Sequence, residues 1–365
     1  MSDRPVPQPG ILKIAPYVPG RADAPQGVTP IKLSANESPL GASPRAREAM
    51  RAAIEHPEIY PEGSSRVLRE ALGEVHGLDP ARIVCGFGSD DLLHLLAQVY
   101  LGEGDEAVMS QYGFNVYPIV TRGASAEIVM APETDYRASI EALLGAVTAR
   151  TRVLFLANPN NPTGTYLSAG ELDRLHRALR PDILFVLDSA YAEYVTADDY
   201  SVGIDLVNRA DNVVMVRTFS KMGLAAERIG WMYGPDHVVD AVNRIRGPFN
   251  VTVAGQAGGA AATRDNAFTA QLRAYNAKWR DWLTHGLESN RIRVIPSQAN
   301  FVLALFPDVE TAKAAFAALR DKGLIVRELH GYGIPSGLRI SIGLEEHMRA
   351  VVEILKEFGA GGAIE

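Results

Sequence analysis

The chain has 365 residues, 47% hydrophobic and 22% charged, with 33 Gly and 22 Pro; that length points to two or three compact units, and the composition excludes disorder, collagen and coiled coil. A balance of 36 Lys and Arg against 43 Asp and Glu, net −7, argues against a nucleic-acid surface and leaves room for a local basic pocket that takes a small anion. One cysteine, Cys85, and eight dispersed histidines offer neither an intrachain disulfide nor a zinc set, which fits a reducing cytoplasm. No stretch approaches the ~18 apolar residues of a membrane span, and MSDRPVPQPG lacks the apolar core of a signal peptide, so neither a membrane nor an export route is expected.

In chain order, the Pro- and Gly-rich stretch 5–41 reads as an extended arm laid over the body, since Ile11, Leu12, Ile14, Tyr17, Val18, Ile31 and Leu33 are wasted on a solvated tail. A helix follows from Pro44, with Ser43 as its N-cap. A short strand at 82–85 runs into Gly86-Phe87-Gly88-Ser89-Asp90, which opens a helix carrying Leu92, Leu93, Leu95, Leu96 and Val99. Apolar, β-rich runs at 107–109, 128–130, 153–156, 183–187 and 213–216, separated by helical or polar segments, predict a mainly parallel sheet covered on both faces. After Asn250 comes an Ala/Gly-rich helical run, then a long amphipathic segment, 268–287, suited to bridging two domains. Strands at 292–295, 300–305, 325–327 and 338–342, with helices at 311–322 and 345–358, make a separate α+β unit. The expected division is an arm, 1–42, a large domain, 43–265, and a small domain, 266–365.

Four residues at or just beyond predicted strand ends are wrong for a core: Asn161, Asp188, Lys221 and Arg228. Taken singly, Asn161 reads as a Pro/Asn turn, Asp188 as a helix N-cap, and Lys221 and Arg228 as surface charges. Ser89 and Asp90 fall at a predicted helix N-terminus, where free N–H groups favour an anion. Arg339, flanked by Leu338 and Ile340, is costly to bury unless something negative meets it.

The ordered motifs are Pro16-Tyr17-Val18-Pro19-Gly20, Lys32-Leu33-Ser34-Ala35-Asn36-Glu37-Ser38-Pro39, Tyr60-Pro61, Gly88-Ser89-Asp90, Asn161-Pro162-Thr163-Gly164, Asp188-Ser189-Ala190-Tyr191, Ser220-Lys221, Ala299-Asn300-Phe301 and Leu338-Arg339-Ile340. Together they resemble the fold-type I pyridoxal-phosphate enzymes, and the histidinol-phosphate aminotransferase family in particular, from Pro16 to Gly343. The resemblance implies an α/β large domain with a mainly parallel seven-stranded sheet between helices, a smaller α+β domain, and an arm that packs on the small domain and the subunit interface.

It further implies pyridoxal 5'-phosphate as cofactor. Lys221 matches the lysine that holds the cofactor aldehyde, is displaced by the substrate amine, and then carries a proton between substrate Cα and cofactor C4′. Asp188 matches the aspartate paired with the pyridinium nitrogen, which keeps the ring an electron sink. Asn161 and Tyr191 match the partners of the ring's phenolic oxygen, and Tyr112 the ring-stacking residue. Ser89, Asp90, Ser220 and Arg228 match the phosphate site, and Tyr60 reaches that phosphate from a second subunit, so a homodimer with shared sites is implied. On the substrate side Arg339 matches the arginine that grips the α-carboxylate, Arg327 and Tyr17 match the residues that recognise the phosphate ester of histidinol phosphate, and Asn36 belongs to the arm motif beside that pocket. The reaction implied is L-histidinol phosphate with 2-oxoglutarate giving imidazole-acetol phosphate and L-glutamate, in histidine biosynthesis. An aminotransferase for phenylalanine or tyrosine and a threonine-phosphate decarboxylase are the alternatives.

The sequence departs from the family pattern at Ser189, Ser38 and Asp91, and in a Lys221 to Arg228 segment one residue shorter than in many relatives. Among other classes, a nicotinamide dehydrogenase is opposed by Asp91, which occupies the third glycine position after Gly86 and Gly88. No Gly-Lys-Ser/Thr phosphate loop and no Gly-x-Ser-x-Gly elbow occurs. A DNA-binding regulator on the same fold needs a domain ahead of residue 43, for which the arm is too short.

Overall fold

Alternation of side chains along seven strands divides the main core into two halves. In the computed structural model, which describes residues 5–15 and 25–359, strand β4 (Thr151–Ala157) sends Leu154 and Leu156 to one face and Val153, Phe155 and Ala157 to the other. Strands β5 (Leu184–Asp188) and β6 (Val213–Thr218) repeat the pattern, with Phe185, Leu187, Val213 and Met215 on the first face and Leu184, Val186, Val214 and Val216 on the second. Strands apolar on both faces belong to a sheet covered on both sides. The others are β1 (Ile83–Phe87), β2 (Glu106–Ser110), β3 (Glu127–Ala131) and β7 (Ile229–Tyr233), and the order across the sheet is β1-β7-β6-β5-β4-β2-β3.

Six of these match the expected apolar runs. The seventh, β7, lies in none of them and pairs antiparallel with both β1 and β6. Gly230 explains its position: a Cβ there would stand 2.3 Å from Ser89 N, so only glycine lets β7 lie against the start of the helix Gly88–Tyr100.

Ser43 caps the helix Pro44–Ala53 as expected, accepting from Ala46 N at 3.3 Å, and its hydroxyl also donates to Asp265. Asp265 in turn caps the 24-residue helix Asn266–Ser289, so one contact ties the start of the large unit to the start of the bridging helix. Beyond it, β8 (Arg293–Ile295), β9 (Phe301–Leu305), β10 (Arg327–Glu328) and β11 (Gly337–Ser341) form an antiparallel sheet of order β8-β9-β11-β10. The helices Val309–Asp321 and Glu345–Leu355 pack their apolar sides into the same core.

The single strand expected at 325–327 is two. Leu324–Ile325 pairs in parallel with Ile31–Lys32 of the arm, and Arg327–Glu328 pairs with β11. Leu33 thereby enters the small core. Farther out the arm still lies against the body, where Gly10 is so close to Arg122 O that a Cβ has no room, while Ile11 and Leu12 beside it are exposed. Tyr17 and Val18 lie outside the described residues. Among the described residues no helix is long and apolar enough to cross a membrane.

Candidate active site

The carboxyl ends of the parallel strands, the arm and the small sheet enclose a cavity of about 350 Å³. Asn36, Ser89, Asp90, Asn161, Asp188, Tyr191, Ser220, Lys221, Arg228, Arg327 and Arg339 all line it, so sequence positions more than 300 residues apart reach one space.

Asp188, the last residue of β5, is 3% exposed. Its Oδ2 accepts from Tyr117 Oη at 2.8 Å and its Oδ1 from Ala190 N at 3.2 Å. Burial pushes its carboxyl up to about 6, against those two hydrogen bonds. Lys221 follows β6 in the short turn Ser220–Met222. Its Nζ stands 3.5 Å from Ala35 O and 5.8 Å from the centre of the Tyr191 ring. Burial, then the charge of Arg339, lowers its ammonium to about 8, which leaves a sizeable neutral fraction near pH 7 to 8, as a nucleophile and proton carrier needs.

One wall is built for an anion. Gly88 opens the helix Gly88–Tyr100 at φ +82°, and a Cβ on it would meet Arg228 Nη2 at 2.6 Å. Arg228, itself at φ +52°, donates from Nη1 to Ser220 Oγ at 3.2 Å and Ala225 O at 3.3 Å, and from Nη2 to Asp90 Oδ2 at 3.4 Å. Helix N–H groups, a guanidinium and a hydroxyl thus converge. The Asp90 side chain serves Arg228, so what this residue offers an anion is its backbone.

The opposite wall comes from the arm and the small sheet. Buried Arg339 donates from Nη1 to Asn161 Oδ1 and from Nη2 to Ser34 O at 2.6 Å. Arg327 stands directly across from Arg339 in the β10–β11 pairing. Asn36, at φ +57°, is a junction rather than only a turn. It donates from Nδ2 to Tyr191 Oη at 3.0 Å and from its backbone N to Ser341 Oγ at 2.9 Å. It accepts at Oδ1 from Ser341 Oγ at 2.8 Å and at its carbonyl from Asn300 Nδ2 at 2.9 Å.

Among the described residues, one expected here lies elsewhere, and another, Tyr60, is expected only at a second subunit's cavity. Tyr112 does not line the cavity: it stacks on Tyr136 with centroids 5.5 Å apart, and its backbone is held by Glu133 and Asn160. The tight turn at Gly113, where a Cβ would meet Met109 Cε at 2.7 Å, brings Phe114 to the cavity in its place. Tyr60 is 77% exposed and stacked on Phe249 at 4.6 Å, outside the cavity of its own chain. Sequence reasoning missed Phe114, Tyr117 and Tyr332; only the fold brings Tyr117 to Asp188 and the other two to the lining.

Residues 28–355 match the family described as aminotransferase class I and II. The chain belongs to the class I and II aminotransferases. This aminotransferase is 53% identical over 361 residues to the histidinol-phosphate aminotransferase of Nitrobacter hamburgensis, covering 98% of this chain and 99% of that one. It is 52% identical over 360 residues to that of Rhodospirillum rubrum, covering 98% of each. The histidinol-phosphate aminotransferase of Sinorhizobium meliloti, solved in complex with pyridoxal-5'-phosphate, superposes with a TM-score of 0.84 at 29% identity, covering 89% of each chain.

The departures from the family pattern have local explanations. Ser189 Oγ donates to Val202 O at 3.1 Å, and Ser38 Oγ to Gly41 O at 3.2 Å, so both serve the backbone. Asp91 caps the glycine turn, its Oδ2 accepting from Phe87 N at 2.9 Å. The short segment after Lys221 still delivers Arg228 to Ser220 and Asp90.

Proposed function

We propose that this aminotransferase binds pyridoxal 5'-phosphate through Asp188, Lys221 and the Gly88–Arg228 cradle, and transfers the amino group of L-histidinol phosphate to 2-oxoglutarate in histidine biosynthesis. The fit to the cofactor is supported by complementary chemistry at the two ends of the cavity. A buried carboxylate suits a protonated ring nitrogen, and the cradle, closed to any side chain at Gly88, suits a phosphate. When bound, the cofactor supplies an electron sink for the pair left at Cα as its proton departs.

The chain's own residues do the rest. The neutral Lys221 amine takes the proton from substrate Cα and returns it on the other side of the transfer. Asp188 keeps the ring nitrogen charged. Tyr191 and Asn161, each held by a neighbour (Asn36 and Arg339), are set to steady the ring's phenolic oxygen.

The observation that carries the substrate reading is the register of Arg327 on Arg339. Like charges directly opposite on neighbouring strands repel, and an anion taken across both relieves that repulsion. The phosphate ester of histidinol phosphate is read as spanning both, and the carboxylate of glutamate as held by Arg339. Tyr17 is assigned to the phosphate by family resemblance alone.

The same reading takes the chain as an arm, 1–42, a large domain, 43–265, and a small domain, 266–365, working as a cytoplasmic homodimer. The exposed pair Tyr60 and Phe249, stacked on each other, and the exposed Phe87 under Arg228 of the cradle support a second copy that brings its Tyr60 to the phosphate. The test is direct: the purified protein loaded with pyridoxal 5'-phosphate is reduced with borohydride and mapped, and histidinol phosphate is assayed as donor to 2-oxoglutarate. A pyridoxyl group on Lys221 and turnover to glutamate are expected. A label on another lysine, or none after loading, contradicts the site; labelling of Lys221 without turnover contradicts the substrate alone.

A further inference from the structure

Asp188 must stay ionised and correctly oriented in surroundings that oppose its charge. Burial alone drives a carboxyl toward its neutral form. The groups that face it from other elements act in both directions: Lys221 after β6 favours its charge and Asp90 in the helix Gly88–Tyr100 opposes it. Tyr191 and Tyr200, from the loop after β5, add neutral phenols nearby. Among the described residues, the side chain that hydrogen-bonds the Asp188 carboxylate is Tyr117, at 2.8 Å.

Tyr117 is placed with little freedom. It lies in the helix Val116–Gly123, 1% exposed. Its ring is parallel to Phe155 of β4, with centroids 4.9 Å apart and 7° between planes. Phe114, a lining residue of the cavity, packs edge-on against it at 5.8 Å and 89°. A phenylalanine fills such a slot equally well, so packing gives no reason for a hydroxyl there. The hydroxyl's partner among the described residues is Asp188 Oδ2, and burial and the neighbouring carboxylate both keep the phenol protonated, hence a donor.

We propose that Tyr117 is a positioning residue for the cofactor ring: its hydroxyl, donating to Asp188 Oδ2, holds that carboxylate ionised and fixes its plane for pairing with the protonated ring nitrogen. The inference rests on the reading of this cavity as a pyridoxal-phosphate site. Its consequence is a shift in the pH at which the cofactor is held. Without the hydroxyl, Asp188 protonates at higher pH, and the acid limb of cofactor affinity moves up with it.

The experiment titrates pyridoxal 5'-phosphate into apoprotein from pH 5.5 to 8.5, for wild type, Tyr117→Phe, Asp188→Asn and the double variant, with melting of each apoprotein as a check on folding. Tyr117→Phe is expected to bind about 5-fold more weakly near pH 6, for one pH unit of displacement, and to approach wild type near pH 8. In the Asp188→Asn background the same change is expected to add nothing, because the two residues act as one unit. Affinity unchanged by Tyr117→Phe at every pH overturns the inference, as does an equal loss in both backgrounds, which makes Tyr117 a packing residue. Should wild-type apoprotein itself fail to bind the cofactor, the underlying reading of the cavity falls, and this is distinguishable from a failure of Tyr117 alone.

Discussion

The two walls of the cavity are built on different principles. The cradle wall comes from the ends of neighbouring strands and one helix start, all within the large sheet: Gly88, Ser220, Lys221 and Arg228 are set by β1, β6 and β7. The substrate wall is assembled across the chain, by the pairing of Ile31–Lys32 with Leu324–Ile325 and by hydrogen bonds between Asn36 and residues 191, 300 and 341. The first wall inherits the rigidity of a sheet buried on both faces. The second depends on a few polar contacts, so a single side chain there has wider structural reach and a smaller chemical effect.

The largest loss is expected on the cradle side. Lys221→Ala removes the amine proposed to move the Cα proton, and turnover of any amino donor should drop to background in a coupled glutamate assay, while the Asp188 and Arg228 contacts should still retain some cofactor. Measurable turnover above background contradicts the role given to Lys221.

Asp188→Asn comes next, and it divides activity from stability. The loss of a preorganised charge partner is expected to cost roughly 3–4 kcal/mol in turnover, on the order of 10²–10³-fold. For the apoprotein the sign reverses. Asp188 titrates at about 6 when folded, above the usual 3.8, so the folded state holds the extra proton between those values and loses relative stability as pH rises through that window. Apoprotein Asp188→Asn should therefore melt higher than wild type at pH 8, with the gap closing toward pH 4. A lower melting temperature at pH 8 makes Asp188 a structural cap.

On the substrate wall, Asn36→Ala strips donors and acceptors from Tyr191 and Ser341 at once. A cost of about 1–3 kcal/mol in stability is expected from the buried groups left behind, read by thermal melting, with a rise in donor KM larger than the fall in kcat. A change confined to kcat contradicts the division between the two walls.

That division also governs what the sequence reveals. Lys221, Asp188 and Arg228 follow predicted strands, yet singly they read as a cap and surface charges, and it is the ordered motifs of the family resemblance that single them out. Asn36 carries no such local mark, its position following from an arm strand only two residues long pairing with another of two, too short to leave a period; Arg327 ends a predicted strand, but its register opposite Arg339 is not written in the local sequence. Strand β7 escapes detection because Gly230 interrupts it for a close approach to Ser89. Tyr112 misleads because the turn at Gly113 presents the next aromatic, Phe114, to the cavity, and local sequence does not encode which of two near neighbours turns inward.

The most direct test of the two-arginine wall compares kcat/KM for histidinol phosphate, phenylalanine, tyrosine and threonine phosphate in wild type and Arg327→Ala. With Arg339 left to grip the carboxylate of the amino-acid substrates, the substitution is expected to cost histidinol phosphate, which has only its phosphate as an anion, about 1.5–3 kcal/mol, roughly 10- to 150-fold, and the unphosphorylated aromatic amino acids far less. An equal loss for every substrate, or a wild-type preference for phenylalanine or tyrosine, contradicts phosphate recognition by Arg327.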